Sequence, residues 1–319
     1  MEGLQVDGIV NVLKPPGMTS HDVVNFIRRT LNIKKAGHTG TLDPGVAGVL
    51  PVCLGKATKV AQFITDSGKS YRAEITFGRT TSTHDKYGEV LADADTSGLS
   101  AEKIAAVLNE FHGRILQVPP MTSAVRHQGK KLYELARQGL TVERQPRPVE
   151  IYGIETVKVD LSNPVNPRAL FDVNCSKGTY IRTLCHDIGE RLGCGAFMSF
   201  LIRTGSGPFL LGQAITLEEI IQLNSAGRMG EAVFPIDAAL QHLPFVYVKT
   251  ATVPSVQSGS RIYPSGIRSM PAGELAEGQP VCLAAAETGC LAIARTLRDQ
   301  PALDEEKTHK YVFQPVKVF

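Results

Sequence analysis

"KKAGHTGTLDPGVAGVLPVCLGKATK", residues 34–59, sets Gly37, Gly40 and Gly45 among His38, Thr39, Thr41 and Asp43, just before an apolar run that ends at Leu54. Asp43-Pro44-Gly45 alone is a common turn signal, and an aspartate there need do no more than close the turn. Its surroundings go further. Glycines let a backbone approach a ligand closely, and a plain turn does not need a histidine and two threonines beside it. The stretch is therefore either an ornate turn or an active-site loop feeding a buried strand, and the flanking chain must decide.

Upstream, residues 8–24 predict a short strand, a Pro-Gly turn, and a helix capped by Ser20 whose apolar stripe is Val23, Val24, Ile27 and Leu31. Downstream, the apolar strand over 49–54 precedes a short helix over 56–64. "YRAEITFG" alternates Tyr71, Ala73, Ile75 and Phe77 against Arg72, Glu74 and Thr76, the period of a half-buried strand. Ser100 caps a helix carrying Ile104, Val107, Leu108 and Phe111, with Gly113 ending it. Strand patterns return at 149–161, 169–175 and 197–202, with a turn leading into a helix that closes at Gly193 and a second helix at 217–223. Beyond about 245 the chain becomes short strands and glycine turns, including a pair joined through Glu287-Thr288-Gly289. This mixed order predicts an α+β fold rather than a regular βαβ series.

Residues 121–148 differ from the rest. Arg126, Lys130, Lys131, Arg137, Arg144 and Arg147 meet only Glu134 and Glu143, between Pro119-Pro120 and Pro146/Pro148. That composition predicts an inserted basic arm with a short amphipathic helix ending at Gly139.

Several classes are set aside. A Walker loop fails because Gly55-Lys56 is followed by Ala57, and "GCGAFM" from Gly193 does not complete the dinucleotide fingerprint. The net charge of +3 permits an anionic partner without requiring one. The six cysteines (Cys53, Cys175, Cys185, Cys194, Cys282 and Cys290) form no C-x-x-C pair. They read as buried reduced thiols rather than a zinc site or disulfide framework. The first residues lack a basic, then apolar, leader pattern, and no apolar run approaches the roughly 20 residues of a membrane span. A cytoplasmic protein without membrane contact is expected.

Five segments, in order, resemble the TruB family of RNA pseudouridine synthases. They are "VNVLKPPGMTSHDVV" (10–24), "GHTGTLDPGVAGVLPVCLGKATK" (37–59), "SYRAEITFGRTTSTHD" (70–85), "PPMTSAVRHQGKKLYELARQG" (119–139) and "CSKGTYIRTLCHDIGERLGCGAFMSFLIRT" (175–204). The resemblance implies a pseudouridine synthase fold: a mixed, largely antiparallel sheet flanked by helices, with a small C-terminal β-rich PUA-like domain. The catalytic domain would span 1–240 with its RNA-binding arm at 121–148, and the PUA-like RNA-binding domain 245–319.

Bacterial members of the family act on uridine 55 in the tRNA T-loop. They detach uracil at N1 and rejoin it through C5, without redox change or net hydrolysis, so no cofactor or metal is implied. By resemblance Asp43 is the catalytic carboxylate, Arg182 its ion-pair partner, and Tyr71 the ring that packs on the base and helps remove the C5 proton. His38 would enter the T-loop as the nucleotide turns out, Tyr180 and Leu201 would line the uracil pocket, and Lys14 would support the loop. Arg126, Lys130, Lys131 and Arg137 would meet RNA phosphates. The expected partner is the T-arm of tRNA, bound by a monomer with no obligate protein partner. Two rival readings are a tRNA-binding or folding protein with dispensable catalysis and a guide-dependent synthase.

Overall fold

The computed structural model describes residues 7–298 and 310–319. The leader reading over 1–6 and the 299–309 part of the C-terminal reading lie outside the described residues.

The main sheet runs, edge to edge, Val233–Phe234, Gly8–Lys14, Ala47–Leu54, Ala196–Ser206, Lys69–Phe77, Arg168–Cys175, Arg147–Asp160 and Gly113–Gln117. Ala36–His38 pairs with Ala47–Leu54, and Phe209–Leu210 with Ala196–Ser206. Neighbours are antiparallel except at the centre, where Ile202 and Arg203 run parallel to Ala47 and Gly48. That junction needs a glycine: Gly48 has φ +121, and a Cβ there would lie 2.3 Å from the Arg203 carbonyl oxygen. It joins the two halves of the sheet next to the loop that carries Asp43.

The period-2 face of Lys69–Phe77 is buried as its alternation predicts, with Ala73, Ile75 and Phe77 fully enclosed. It packs with Leu184, Cys185 and Ile188 of the helix Ile181–Leu192 and with Ile104 and Leu108 of Ala101–Glu110. Leu42 and Val46, flanking Asp43, belong to the same cluster. Gly193 ends the Ile181–Leu192 helix at φ +76, in the left-handed region.

Local departures have local causes. Thr19, not Ser20, caps the helix Ser20–Thr30: its hydroxyl accepts from the Asp22 N–H, and the Asp22 carboxylate accepts from the Thr19 N–H. Ser20 is buried instead, where its hydroxyl accepts the Leu42 N–H at 2.9 Å. The helix over 56–64 is a 3₁₀ turn, Gly55–Val60, followed by Ala61–Thr65. The Ala101–Glu110 helix closes at Phe111, and Gly113 opens the next strand.

The C-terminal sheet, ordered Ile267–Ser269, Phe245–Val248, Pro280–Ala285, Gly289–Thr296, Phe313–Val318, is the β-rich unit expected past 245. One expectation fails here: Cys282 and Cys290 are a disulfide, with Cα atoms 6.1 Å apart, not reduced thiols. The hairpin pairs Ala284 with Cys290 and Cys282 with Ile293, so the two thiols meet across adjacent strands, a proximity their spacing alone did not signal. Cys53, Cys175, Cys185 and Cys194 are free and buried.

Candidate active site

Asp43 stands on the turn between Ala36–His38 and Ala47–Leu54, its carbonyl accepting the Val46 N–H at 3.0 Å. The turn is fixed from beneath by Lys14, which is wholly buried. Its ammonium donates to the carbonyl oxygens of Pro15 at 2.9 Å, Pro44 at 3.2 Å and Val46 at 2.7 Å. Burial pushes the Lys14 ammonium down to about 8, with Asp43 pulling it back up. Three carbonyls converge on one cation, so Lys14 shapes the loop.

The Asp43 carboxylate keeps 43% of its side chain open, whereas Arg182 beside it is 7% exposed. Arg182 Nη2 lies 3.4 Å from Asp43 Oδ2, and Nη1 3.7 Å from Asp85 Oδ2. The same guanidinium donates to Thr122 Oγ1 at 2.7 Å and to the Thr122 carbonyl at 3.0 Å. One planar cation thus joins the Asp43 loop, the 82–88 loop and the root of the arm. Burial raises the Asp43 carboxyl above the ordinary aspartate range. Arg182 and Lys14 pull it back, and Asp85 adds to the rise.

Tyr71 is buried next to these groups, directly across the strand pair from Arg203. Arg203, 1% exposed, donates to the Val49 carbonyl at 2.7 Å and the Gly40 carbonyl at 3.1 Å. Sequence reasoning quoted Arg203 within "FLIRT" but gave it no part. The available signal was an arginine directly after the apolar run Phe200-Leu201-Ile202. Asp85 and Thr122 were missed as well, because only folding brings them to Arg182.

Tyr180 immediately precedes the Ile181–Leu192 helix. Its N–H donates to Gln117 Oε1 at 3.0 Å, and its ring centre is 5.9 Å from the Arg182 guanidinium. Leu201 is half-buried against the main cluster and opposite Ala73. His38 is half-buried, with Nδ1 accepting from the Gly40 N–H at 3.4 Å. Burial, Arg203 and His21 lower its pKa. Behind Arg182, the His84 and His186 rings stack at 4.0 Å. Burial pushes His84 down to about 4, with His186, Arg182 and Arg144 adding to the shift.

The arm folds as a hairpin, Arg126–His127 against Lys130–Lys131, followed by the helix Leu132–Arg137. Arg126, Lys130 and Arg137 are exposed. Lys131 is half-buried, and both it and Arg137 stand 5.4 Å from the Tyr133 ring centre. These cations do not touch Asp43; Thr122 is the arm's link to the site. Among the described residues no helix is long and apolar enough to cross a membrane.

Residues 28–181 match the N-terminal domain of the TruB family pseudouridylate synthases, and residues 182–241 match the tRNA pseudouridylate synthase B C-terminal domain. The chain belongs to the TruB family. At family level it is a tRNA pseudouridine synthase, an isomerase. It is 52% identical to the tRNA pseudouridine synthase B of Pelotomaculum thermopropionicum, over 98% of this chain and 97% of that protein. Over its whole length it is 42% identical to the synthase B of Heliobacterium modesticaldum, covering 97% of that protein. Among solved structures, a Cbf5-Nop10-Gar1 complex contains a chain 34% identical, with TM-score 0.77, covering 98% of this chain and 84% of that one. That match takes in the TruB-type sheet and the β-rich unit beyond it.

Proposed function

We propose that this chain converts uridine 55 in the tRNA T-loop to pseudouridine, with Asp43 as the catalytic carboxylate. The observation carrying this reading is a half-open aspartate held 3.4 Å from a buried arginine, on a turn tied down by a buried lysine. The likeness to proteins named tRNA pseudouridine synthase B, at 52% identity against 34% for the Cbf5 chain, favours free tRNA over a guide-dependent substrate.

In this reading the target uridine turns out of its loop, a step that costs a few kcal/mol of unstacking, and His38 fills the space it leaves. Arg182 holds the Asp43 carboxylate ionised and aimed at the nucleotide. The C1′–N1 bond breaks, the base rotates between Tyr71 and Leu201 with Tyr180 closing the pocket, and C1′–C5 forms. The C5 proton is lost and N1 gains one, so atoms and charge balance without an added reactant. Arg203, across the strand pair from Tyr71, sets its charge beside the ring for the loss of the C5 proton. Residues 1–240 would carry the chemistry, with arm cations on phosphates and residues 245–319 acting as a PUA-like RNA-binding domain.

The test is tritium release from C5-labelled uridine in an unmodified T-arm transcript. Wild-type protein should release label, and a folded Asp43→Asn variant should not. Retention of label by folded wild type would overturn the substrate reading.

A further inference from the structure

The loop between the strands Arg79–Thr81 and Val90–Asp93 ends beside the catalytic turn, and its Tyr87 is 65% exposed. A freely moving surface tyrosine would carry no meaning, but this one is held. Its N–H donates to Asp85 Oδ1 at 3.0 Å, and the same oxygen accepts the Thr83 hydroxyl at 2.6 Å. The Lys86 N–H donates to the Met198 carbonyl at 3.1 Å, and the Met198 N–H donates to the His84 carbonyl at 3.0 Å. The loop is thereby fastened to the Ala196–Ser206 strand.

The ring leans on Gly45, two residues after Asp43. A Cβ at Gly45 would lie 2.4 Å from Tyr87 Oη and 2.5 Å from Cε2, so the missing side chain is what admits the ring. Lys86 Nζ stands 5.4 Å from the ring centre. Among the described residues the Tyr87 hydroxyl has no hydrogen-bond partner, and most of the ring is left open. A tyrosine recruited only for packing would bury its ring. Here an aromatic face and a cation are presented at the rim of the site, the combination that holds an unpaired base and its phosphate.

We propose that Tyr87, with Lys86, is a stacking platform for the nucleotide next to the target uridine. The inference rests on the function proposed above. Turning the uridine toward Asp43 strips a stacking partner from its neighbour, and Tyr87 replaces that partner at the place where the neighbour must lie. Because every base has a π-face, the platform tolerates any base there.

The experiment uses a T-arm hairpin with 2-aminopurine at each loop position flanking the target uridine, titrated with full-length protein, with tritium release measured in parallel. One flanking position should be quenched on binding. Tyr87→Ala should remove that quenching and weaken binding roughly 5- to 100-fold, while Tyr87→Phe keeps both near wild type. Gly45→Ala, whose methyl would displace the ring without removing it, should also lose quenching. Wild-type turnover combined with equal quenching in Tyr87→Ala overturns the platform and leaves the substrate reading standing. Quenching lost in Tyr87→Ala without wild-type turnover overturns the substrate reading, and with it the target uridine's neighbour as the base held, while leaving Tyr87 as a stacking contact to a loop nucleotide. Absence of both turnover and quenching in wild type overturns both.

Discussion

Lys14 and Arg203 are buried cations that, among the described residues, have no carboxylate within ion-pair distance. Carbonyl oxygens on the Asp43 loop and the strands beside it meet both charges, so the charges serve as scaffolding for the loop. Lys14→Met should leave the Pro15, Pro44 and Val46 carbonyls unpaired. We expect about 1–3 kcal/mol less stability by denaturant unfolding, with turnover falling more than tRNA affinity. The carboxylate pair gives a pH prediction. In the proposed mechanism Asp43 acts as its carboxylate, and its pKa is raised, so the acid limb of kcat/KM should lie above the ordinary aspartate range. Asp85 contributes to that rise, so Asp85→Asn should move the limb to lower pH, and an unmoved or rising limb would exclude the coupling. Asp43 and Arg182 were legible in sequence through their motifs. Asp85 was not, because an aspartate in a polar loop carries no mark of what it will face.

At the scale of elements, the arm combines a hairpin with a helix that buries Leu132 and Leu135. The amphipathic helix could be read from its spacing. The hairpin could not, since its turn places Gln128 at φ +47 and Gly129 at φ +86, and only glycine advertises that conformation. With Arg126, Lys130 and Arg137 exposed, the arm presents its charge to solvent. Neutralising Lys130, Lys131 and Arg137 together should weaken tRNA binding and flatten the slope of log K against log salt by up to roughly 2–3. An unchanged slope would remove the arm from phosphate contact. Because Arg182 holds Thr122, arm position and Asp43 geometry share one guanidinium.

At the scale of the molecule, the two sheets share an apolar cluster. Ile9, Val49 and Cys53 from the first, with Ile64 of the helix Ala61–Thr65, pack with Cys282, Cys290 and Ile293 from the second, around Leu240 and Leu243. Asp237 accepts the Cys290 N–H at 2.8 Å across the same junction, and Lys59 donates to the Val318 carbonyl at 2.7 Å. Leu240→Ala should therefore cost roughly 2–5 kcal/mol and shift one cooperative transition in calorimetry rather than splitting it. Two separated transitions in wild type would show that the cluster does not couple the sheets.

The sequence by itself determined most of the elements and their faces, because hydrophobic period and turn chemistry are local. It also pointed to Asp43, Arg182 and Tyr71, because five motifs recur together. Only the tertiary structure decided which charges meet. The parallel junction at Gly48 sets Arg203 between Tyr71 and the loop, and the 82–88 segment brings Asp85 and Tyr87 to the catalytic turn. The hairpin past 280 joins Cys282 to Cys290. Such contacts fall between residues far apart in the chain or across a strand pair, and their distances depend on register and packing rather than on spacing.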